Sequence, residues 1–406
     1  MTSIDVDRIR AVNVADVYKG RRLAAKLTRR ENGTEFAYLP EYLQGGIAVA
    51  TTLPLSDSPR FTAAGAVPAF FAGLLPEGRR LSNLRRAIKT SADDELALLL
   101  AVGRDPIGDV QVVPEGEVPA EAEPLVRVER SFAEVHFGDL LAEAGMIDPV
   151  ALPGVQDKVS ARMISVPVGH ASNRYILKID PPEYPHVVEN EAYFLGVARA
   201  MKMPVADAEV VRDADGRPGL LVRRFDRIRG PNGEALPLAC EDACQLLDRW
   251  PSDKYRVTSE EVATVIGDRC SASLPALRDV FRQLCFAWLT GNGDVHAKNL
   301  SVLCDPDGEW KVAPAYDLPS TVPYGDRSLA LSLGGRTTGL TRRRFFDFAA
   351  AIGLPERAAI RIIEQVLAGT DRVPGDLENG AIPLRTEAVQ STVKELRFRR
   401  RQMASV

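Results

Sequence analysis

The sequence predicts an α+β chain of two lobes, with an extra mixed α/β unit at the amino end and a mostly helical lobe at the carboxyl end. Three observations carry this. Short strand-like runs separated by Gly, Pro and Asp turns fill the middle of the chain. Runs of helical period dominate its last third. An acidic, Pro-rich stretch, PEGEVPAEAEP at 114–124, separates the middle from what precedes it in the manner of a linker. The expected units are 1–119, 126–236 and 237–406. A chain of 406 residues with 45% apolar content can fill the cores of two or three such units.

Charge excludes some function classes. Fifty-one basic against fifty-five acidic residues give a net charge of −4, which offers no global field for nucleic acid or an anionic membrane. The one dense basic cluster, KELRFRR at 394–400 followed by Arg401, is expected to be a solvated helical end. Among five cysteines only Cys240 and Cys244 are close together, which makes neither a metal CxxC pair nor a disulfide framework. They read as buried thiols in a reducing cytoplasm. The start MTSIDVDRIR has no basic region followed by an apolar run, and no segment approaches the length of a membrane span.

Within the first unit, alternation at 35–42 suggests a strand, 54–59 a Pro/Ser-rich turn, and 94–102 a helix. After the linker, 158–165 and 174–180 read as paired strands joined by a loop at 166–173 that contains Gly, Pro and Asn. Just before the first of them lies PGVQD at 153–157, where Gly154 would let backbone amides approach phosphate oxygens. A single Gly without G-x-G-x-x-G spacing is, by itself, equally a turn. In the strand 174–180, Tyr175, Leu177 and Ile179 share one face while Ile176 and Lys178 share the other. A Lys among apolar residues of a central strand requires an anionic partner, whereas at a sheet edge it requires none. A helix at 186–201 follows, with Val188, Ala192 and Leu195 on its apolar side, and Glu189 or Glu191 near its start is positioned to pair with Lys178. Strands at 206–212 and 219–225 flank the turn Asp213-Ala214-Asp215-Gly216, and 221–226 leads into the helical half.

In that half, Phe281, Leu284, Cys285, Trp288 and Leu289 repeat at helix spacing before the chain breaks at Gly291-Asn292-Gly293 and presents Asp294. A hairpin follows, with strands at 300–304 and 310–313 about the turn Asp305-Pro306-Asp307-Gly308. Helical patterns at 342–352, 356–367 and 386–400 complete the chain. Asn299 stands five residues after Asp294, and Asp317 eighteen after Asn299. This repeats the spacing of the protein-kinase catalytic loop, in which Asp takes the acceptor hydroxyl proton, Asn holds magnesium and a later Asp holds it too. An Asp and an Asn after a glycine turn also serve as ordinary caps. Together with Asp317, Lys178 and the element order they point instead to a two-lobed protein-kinase-like fold using ATP and Mg2+.

Further stretches resemble one family. Leu152-Pro153-Gly154-Val155-Gln156-Asp157-Lys158, Val188-Glu189-Asn190-Glu191, Val222-Arg223-Arg224-Phe225-Asp226-Arg227, the sequence GNGDVHAKN at 291–299 and Ala315-Tyr316-Asp317 resemble the signatures of HipA toxin kinases. Leu74-Leu75-Pro76-Glu77-Gly78 and Val102-Gly103-Arg104-Asp105 are similar to the amino-terminal subdomain of the same proteins, so the resemblance spans nearly the whole chain. It implies a bacterial serine/threonine protein kinase toxin, neutralised by a small DNA-binding antitoxin, HipB, through which alone it meets DNA. It also implies that aminoacyl-tRNA synthetases are its targets and slowed translation its outcome. Carried over by position, Asp294 is the catalytic base, Asn299 and Asp317 are the magnesium ligands, and Lys178 sits on the α- and β-phosphates. Gly154, Val155, Gln156 and Lys158 belong to the phosphate loop, and the backbone of Arg223 and Phe225 meets adenine. Lys298 offsets developing phosphate charge, and His296, in the nucleotide site, holds the loop together.

One position departs from the family's pattern. A serine that the kinase phosphorylates in itself is common three residues before the loop glycine, and here that position is Ala151. Alanine has no hydroxyl, so no autophosphorylation is expected at this loop. Two other readings share the Asp, Asn and Asp trio or the fold: a small-molecule phosphotransferase, and a non-catalytic corepressor bound to an antitoxin.

Overall fold

The computed structural model describes residues 6–91, 94–119, 126–129, 131–143, 163–170, 173–231 and 233–405. Gly154, Val155, Gln156, Lys158 and Ala151 lie outside the described residues, as does the expected strand over 158–162.

The first unit is an antiparallel five-stranded sheet with spatial order Arg60–Ala63, Gly33–Tyr38, Arg22–Arg30, Val14–Lys19, Val110–Pro114. Alternation in these strands places Val17, Leu27 and Phe36 on one core, where they meet Phe71, Leu96 and Leu99. The expected helix spans Glu95–Val102, capped by the Asp94 side chain, which accepts from the Ala97 amide. Its ELALLLAV sequence has no polar face because both sides are covered.

A second five-stranded sheet has the order Val126–Val128, Ile164–His170, Asn173–Ile179, Pro218–Arg223, Ala208–Arg212, parallel in its first pairing and antiparallel elsewhere. The expected loop at 166–173 is therefore strand as far as His170, with the reversal held between His170 and Asn173. Pro167 and Gly169 had suggested a loop. Among the described residues Pro167 lies opposite Ile176 on one side, while Val126–Val128 pairs with residues 168–170 on the other. Lys178, by contrast, sits on the central strand, not on an edge. The helix Val187–Ala200 packs on this sheet, and the Asp180 carboxylate caps it by accepting from the amides of His186 (2.8 Å) and Val188 (2.7 Å).

The carboxyl-terminal lobe is organised about Ser273–Thr290, an 18-residue helix whose Val280, Phe281, Leu284, Cys285 and Trp288 are buried. Helices Ser259–Arg269, Glu356–Gly369 and Thr386–Ala404 surround it. Ser259–Arg269 escaped the sequence reading, yet its capping box was legible: the Thr258 hydroxyl accepts from the Glu261 amide while the Glu261 carboxylate accepts from the Thr258 amide. Strands Cys240–Asp242, Ser301–Cys304 and Trp310–Val312 form a small sheet that includes the expected hairpin.

The basic end of the chain needs a correction. Arg399, expected to be solvated, is fully buried with its guanidinium 4.0 Å over the Trp288 ring. It donates to the carbonyls of Trp288 (3.0 Å) and Arg327 (2.6 Å) and to Glu395 (2.8 Å). The central helix ends beside it, so one of its last carbonyls, that of Trp288, receives a charged donor. The five cysteines are free thiols, four of them buried. No helix among the described residues is long and apolar enough to cross a membrane.

Candidate active site

The central helix ends at Gly291, whose φ of +74° is the left-handed conformation that closes helices. A Cβ there would come within 2.6 Å of Val322 Cγ2, and one on Gly293 within 2.6 Å of the Ser328 carbonyl. Backbone conformation and packing therefore require glycine at 291, and packing alone requires it at 293. Between them Asn292 works in two directions: its Oδ1 accepts from the Asp294 amide (2.9 Å) and its Nδ2 donates to the Asp317 carbonyl (3.1 Å). Asp294 is thus presented by a turn already tied to the segment that carries Asp317.

The charged centre forms where the two lobes meet. Lys178 Nζ donates to both Glu191 oxygens (2.7 and 2.9 Å) and to Asp317 Oδ1 (3.0 Å). The structure selects Glu191 as the partner, since its side chain is 1% exposed while Glu189 lies beside His186. Asn299 Nδ2 donates to the Asp294 carbonyl (2.8 Å) and to Asp317 Oδ2 (3.2 Å). Asn190, one residue before Glu191, holds the lobes together by exchanging two hydrogen bonds with the Ser320 backbone. Asp317 itself has φ of +58°, unusual for a residue with a side chain and a mark of local strain.

Two carboxylates facing one ammonium leave a net negative charge. Burial alone pulls the Lys178 pKa down, but Asp317 and Glu191 outweigh it and hold the ammonium above its ordinary value. Burial, with repulsion from Asp317, pushes Glu191 up to about 6 against the pull of Lys178. We read these opposite pressures as one cluster with a charge deficit rather than a closed pair. Carboxylate and amide oxygens with excess negative charge suit a hard divalent cation that completes its shell from phosphates and water. Asn299 Oδ1 and Asp317 are the oxygen donors available in this arrangement. No group of three His, Cys, Asp or Glu side chains among the described residues could cage a metal without such help.

Phe225 follows the strand Pro218–Arg223, and its ring lies 5.5 Å from that of Tyr316. The Arg223 amide donates to the Asp207 carbonyl (2.7 Å), which extends the pairing of Pro218–Arg223 with Ala208–Arg212 to the end of the strand. His296 is buried inside the loop, its ring edge-on to Tyr255 at 5.1 Å. The structure thus brings together Lys178, Asp294, Asn299 and Asp317, with His296 beside Asp294.

Lys298 is placed elsewhere than its position in the chain suggested. Its ammonium donates to Asp242 Oδ2 (2.8 Å) and to the carbonyl of Gly73 in the first unit (2.9 Å). It is a strut between units, not a cation aimed at phosphate. Side chains on a short 3₁₀ turn diverge, and the neighbouring Asp242 captures this one. Lys298→Met is expected to destabilise the fold by about 3 kcal/mol, because Asp242 would be left with a poorly solvated charge. Chemical denaturation monitored by fluorescence checks this; lost turnover at unchanged stability would restore the phosphate role.

Sequence reasoning missed Tyr255, whose hydroxyl donates to Asp294 Oδ1 at 2.8 Å. Burial and the Asp294 charge push its pKa far above the usual phenol range, so it remains a donor. No motif marked it, because it sits in an irregular segment 39 residues before its partner.

Known proteins share these features. Residues 15–113 match the HipA N-terminal domain and 150–373 the HipA-like C-terminal domain. Y4mE of Sinorhizobium fredii, which carries a provisional kinase name, is 32% identical over 399 residues, covering 90% of this chain and 93% of that one. The serine/threonine-protein kinase toxin HipA of Shewanella oneidensis is 25% identical over 387 residues, 86% of each chain. A chain in the solved Shewanella oneidensis complex of HipA, HipB and operator DNA superposes with TM-score 0.77 at 21% identity, covering 96% of this chain and 97% of that chain; the likeness establishes a kinase-like α+β fold. Matched by one family model over more than half its length, and 32% identical to a relative across nine-tenths of it, the chain belongs to the HipA family.

Proposed function

We propose that this protein is a HipA-like toxin kinase that transfers the γ-phosphate of ATP, with Mg2+, to a serine or threonine hydroxyl of a protein. The observation that carries the reading is the convergence of Lys178, Glu191, Asn299 and Asp317 in one hydrogen-bonded cluster beside Asp294. Phosphoryl transfer needs mainly positioning and charge neutralisation, which this cluster would provide by holding Lys178 and a divalent cation against the phosphates. Lys178, held upright by Glu191, would bind the α- and β-phosphates. Asn299 and Asp317 would hold magnesium, whose contribution is to neutralise charge on the phosphates. Asp294 would accept the acceptor hydroxyl proton as its oxygen bonds to the γ-phosphorus and the bridging bond to ADP breaks. The backbone of Arg223 and Phe225 would meet adenine, with Gly154, Val155, Gln156 and Lys158 over the phosphates and His296 bracing the loop.

A HipB-like DNA-binding antitoxin is the proposed partner, supported by the similar chain solved with HipB and operator DNA. The near-neutral surface supports DNA contact through that partner. An aminoacyl-tRNA synthetase is the proposed target class, with inhibited translation and growth arrest as its consequence.

The test is incubation of the full chain with magnesium and γ-labelled ATP in a bacterial lysate, alongside Asp317→Ala. A labelled protein, seen only with the intact chain and identified by mass spectrometry as a tRNA synthetase, is expected. Label confined to metabolites would replace this reading with a small-molecule kinase.

A further inference from the structure

The segment that carries Tyr255 is held from two sides. On the catalytic side, the Ala297 amide donates to the Lys254 carbonyl (3.2 Å), the Tyr255 hydroxyl reaches Asp294, and the Tyr255 ring packs edge-on to His296. On the other side, Lys254 Nζ lies 5.3 Å from the Tyr255 ring centroid and pairs at 2.7 Å with Glu77 of the first unit. The two side chains of that pair are 12% and 30% exposed, so water screens it only in part. Trp250, a few residues earlier, packs into the hydrophobic core of the first unit. Two further struts join the same places: Lys298 to the Gly73 carbonyl, and Gln245 Nε2 to the Phe70 carbonyl at 2.9 Å. Residues 70–77 therefore grip the catalytic loop and the segment that braces it, although they lie far from both in sequence.

We propose that Tyr255 is a positioning residue for the Asp294 carboxylate, and that Glu77, acting through Lys254, makes the amino-terminal unit part of the catalytic apparatus. The proposal rests on the reading of Asp294 as the base. The terminal torsion of an Asp side chain is broad, so its oxygens are aimed by what holds them. A donor on Oδ1 that is anchored at three points aims the carboxylate before an acceptor arrives. Preorganisation of this kind is worth a large factor in rate, since a displacement of about 1 Å in a reacting group can cost about 10²-fold.

The experiment uses the full chain with Mg–ATP, reading ATP hydrolysis and phosphate transfer to casein. Tyr255→Phe is expected to lower kcat by about 10- to 100-fold with KM for ATP within about two-fold, because the hydroxyl touches the base and not the nucleotide. Glu77→Gln is expected to act in the same direction by about three- to ten-fold, and the double variant to fall short of the product of the two, since both act through one hydroxyl. Amide exchange at 294–299 should quicken in Glu77→Gln while global unfolding stays within about 1 kcal/mol of the parent. An unchanged or raised kcat in Tyr255→Phe would overturn the proposal; a rise would make the hydroxyl an occupant of the acceptor's place. Unchanged kcat and exchange in Glu77→Gln would remove the amino-terminal unit from it. No turnover by the parent chain would overturn the kinase reading itself, an outcome distinct from turnover that ignores Tyr255.

Discussion

Asp294→Asn is expected to lower kcat by about 10²- to 10⁴-fold while the fold and Mg–ATP binding persist, the range that a positioned general base contributes. At a thousand-fold this is about 4 kcal/mol of barrier. The substitution is nearly isosteric, and an amide oxygen can still accept from Tyr255, so the loop geometry of Asn292 and Asn299 is retained. What is lost is the carboxylate's capacity to take a proton. Single-turnover transfer to protein, with nucleotide affinity measured separately, separates this from Asp317→Ala, in which binding of Mg–ATP should itself weaken. Turnover within ten-fold of the parent would remove Asp294 from the role of base.

Arg399→Met should cost about 3–5 kcal/mol of stability, the cost of removing one partner from a buried charged network. The methionine fills volume against Trp288 but removes the charged donor from the carbonyls of Trp288 and Arg327, leaving Trp288 only the longer bond from the Gly291 amide (3.4 Å). Because Trp288 belongs to the last turn of the helix that ends at Gly291, loosening there should reach the catalytic turn. Equilibrium denaturation gives the stability change. Arg399→Lys should recover only part of it, since an ammonium cannot serve three acceptors and stack on the indole at once. A loss under 1 kcal/mol would show the buried guanidinium to be replaceable.

The legible elements were those with strong local patterns. The strand Asn173–Ile179, the helix Val187–Ala200 and the central helix ending at Gly291 stand within a few residues of their expected limits, because hydrophobic period and turn glycines are local properties. Ile164–His170 was misjudged because Pro167 speaks for a loop in isolation, whereas pairing along Asn173–Ile179 makes the segment a strand. Arg399 was misjudged for a related reason. A basic run at a chain end is usually solvated, and only packing against Trp288 turns one of its members inward.

The sequence by itself determined the family, the two-lobed order of elements, and the spacing that links Asp294, Asn299 and Asp317, since these depend on residues near one another in the chain or on motifs. Tertiary structure alone decided that Glu191 rather than Glu189 meets Lys178, that Lys298 braces Asp242 and Gly73, and that Tyr255 and Glu77 stand behind Asp294. The physical reason is that a side chain's partner is set by direction and burial. Contacts between distant segments, such as that of Glu77 with Lys254, 177 residues later, leave no periodic trace in either segment.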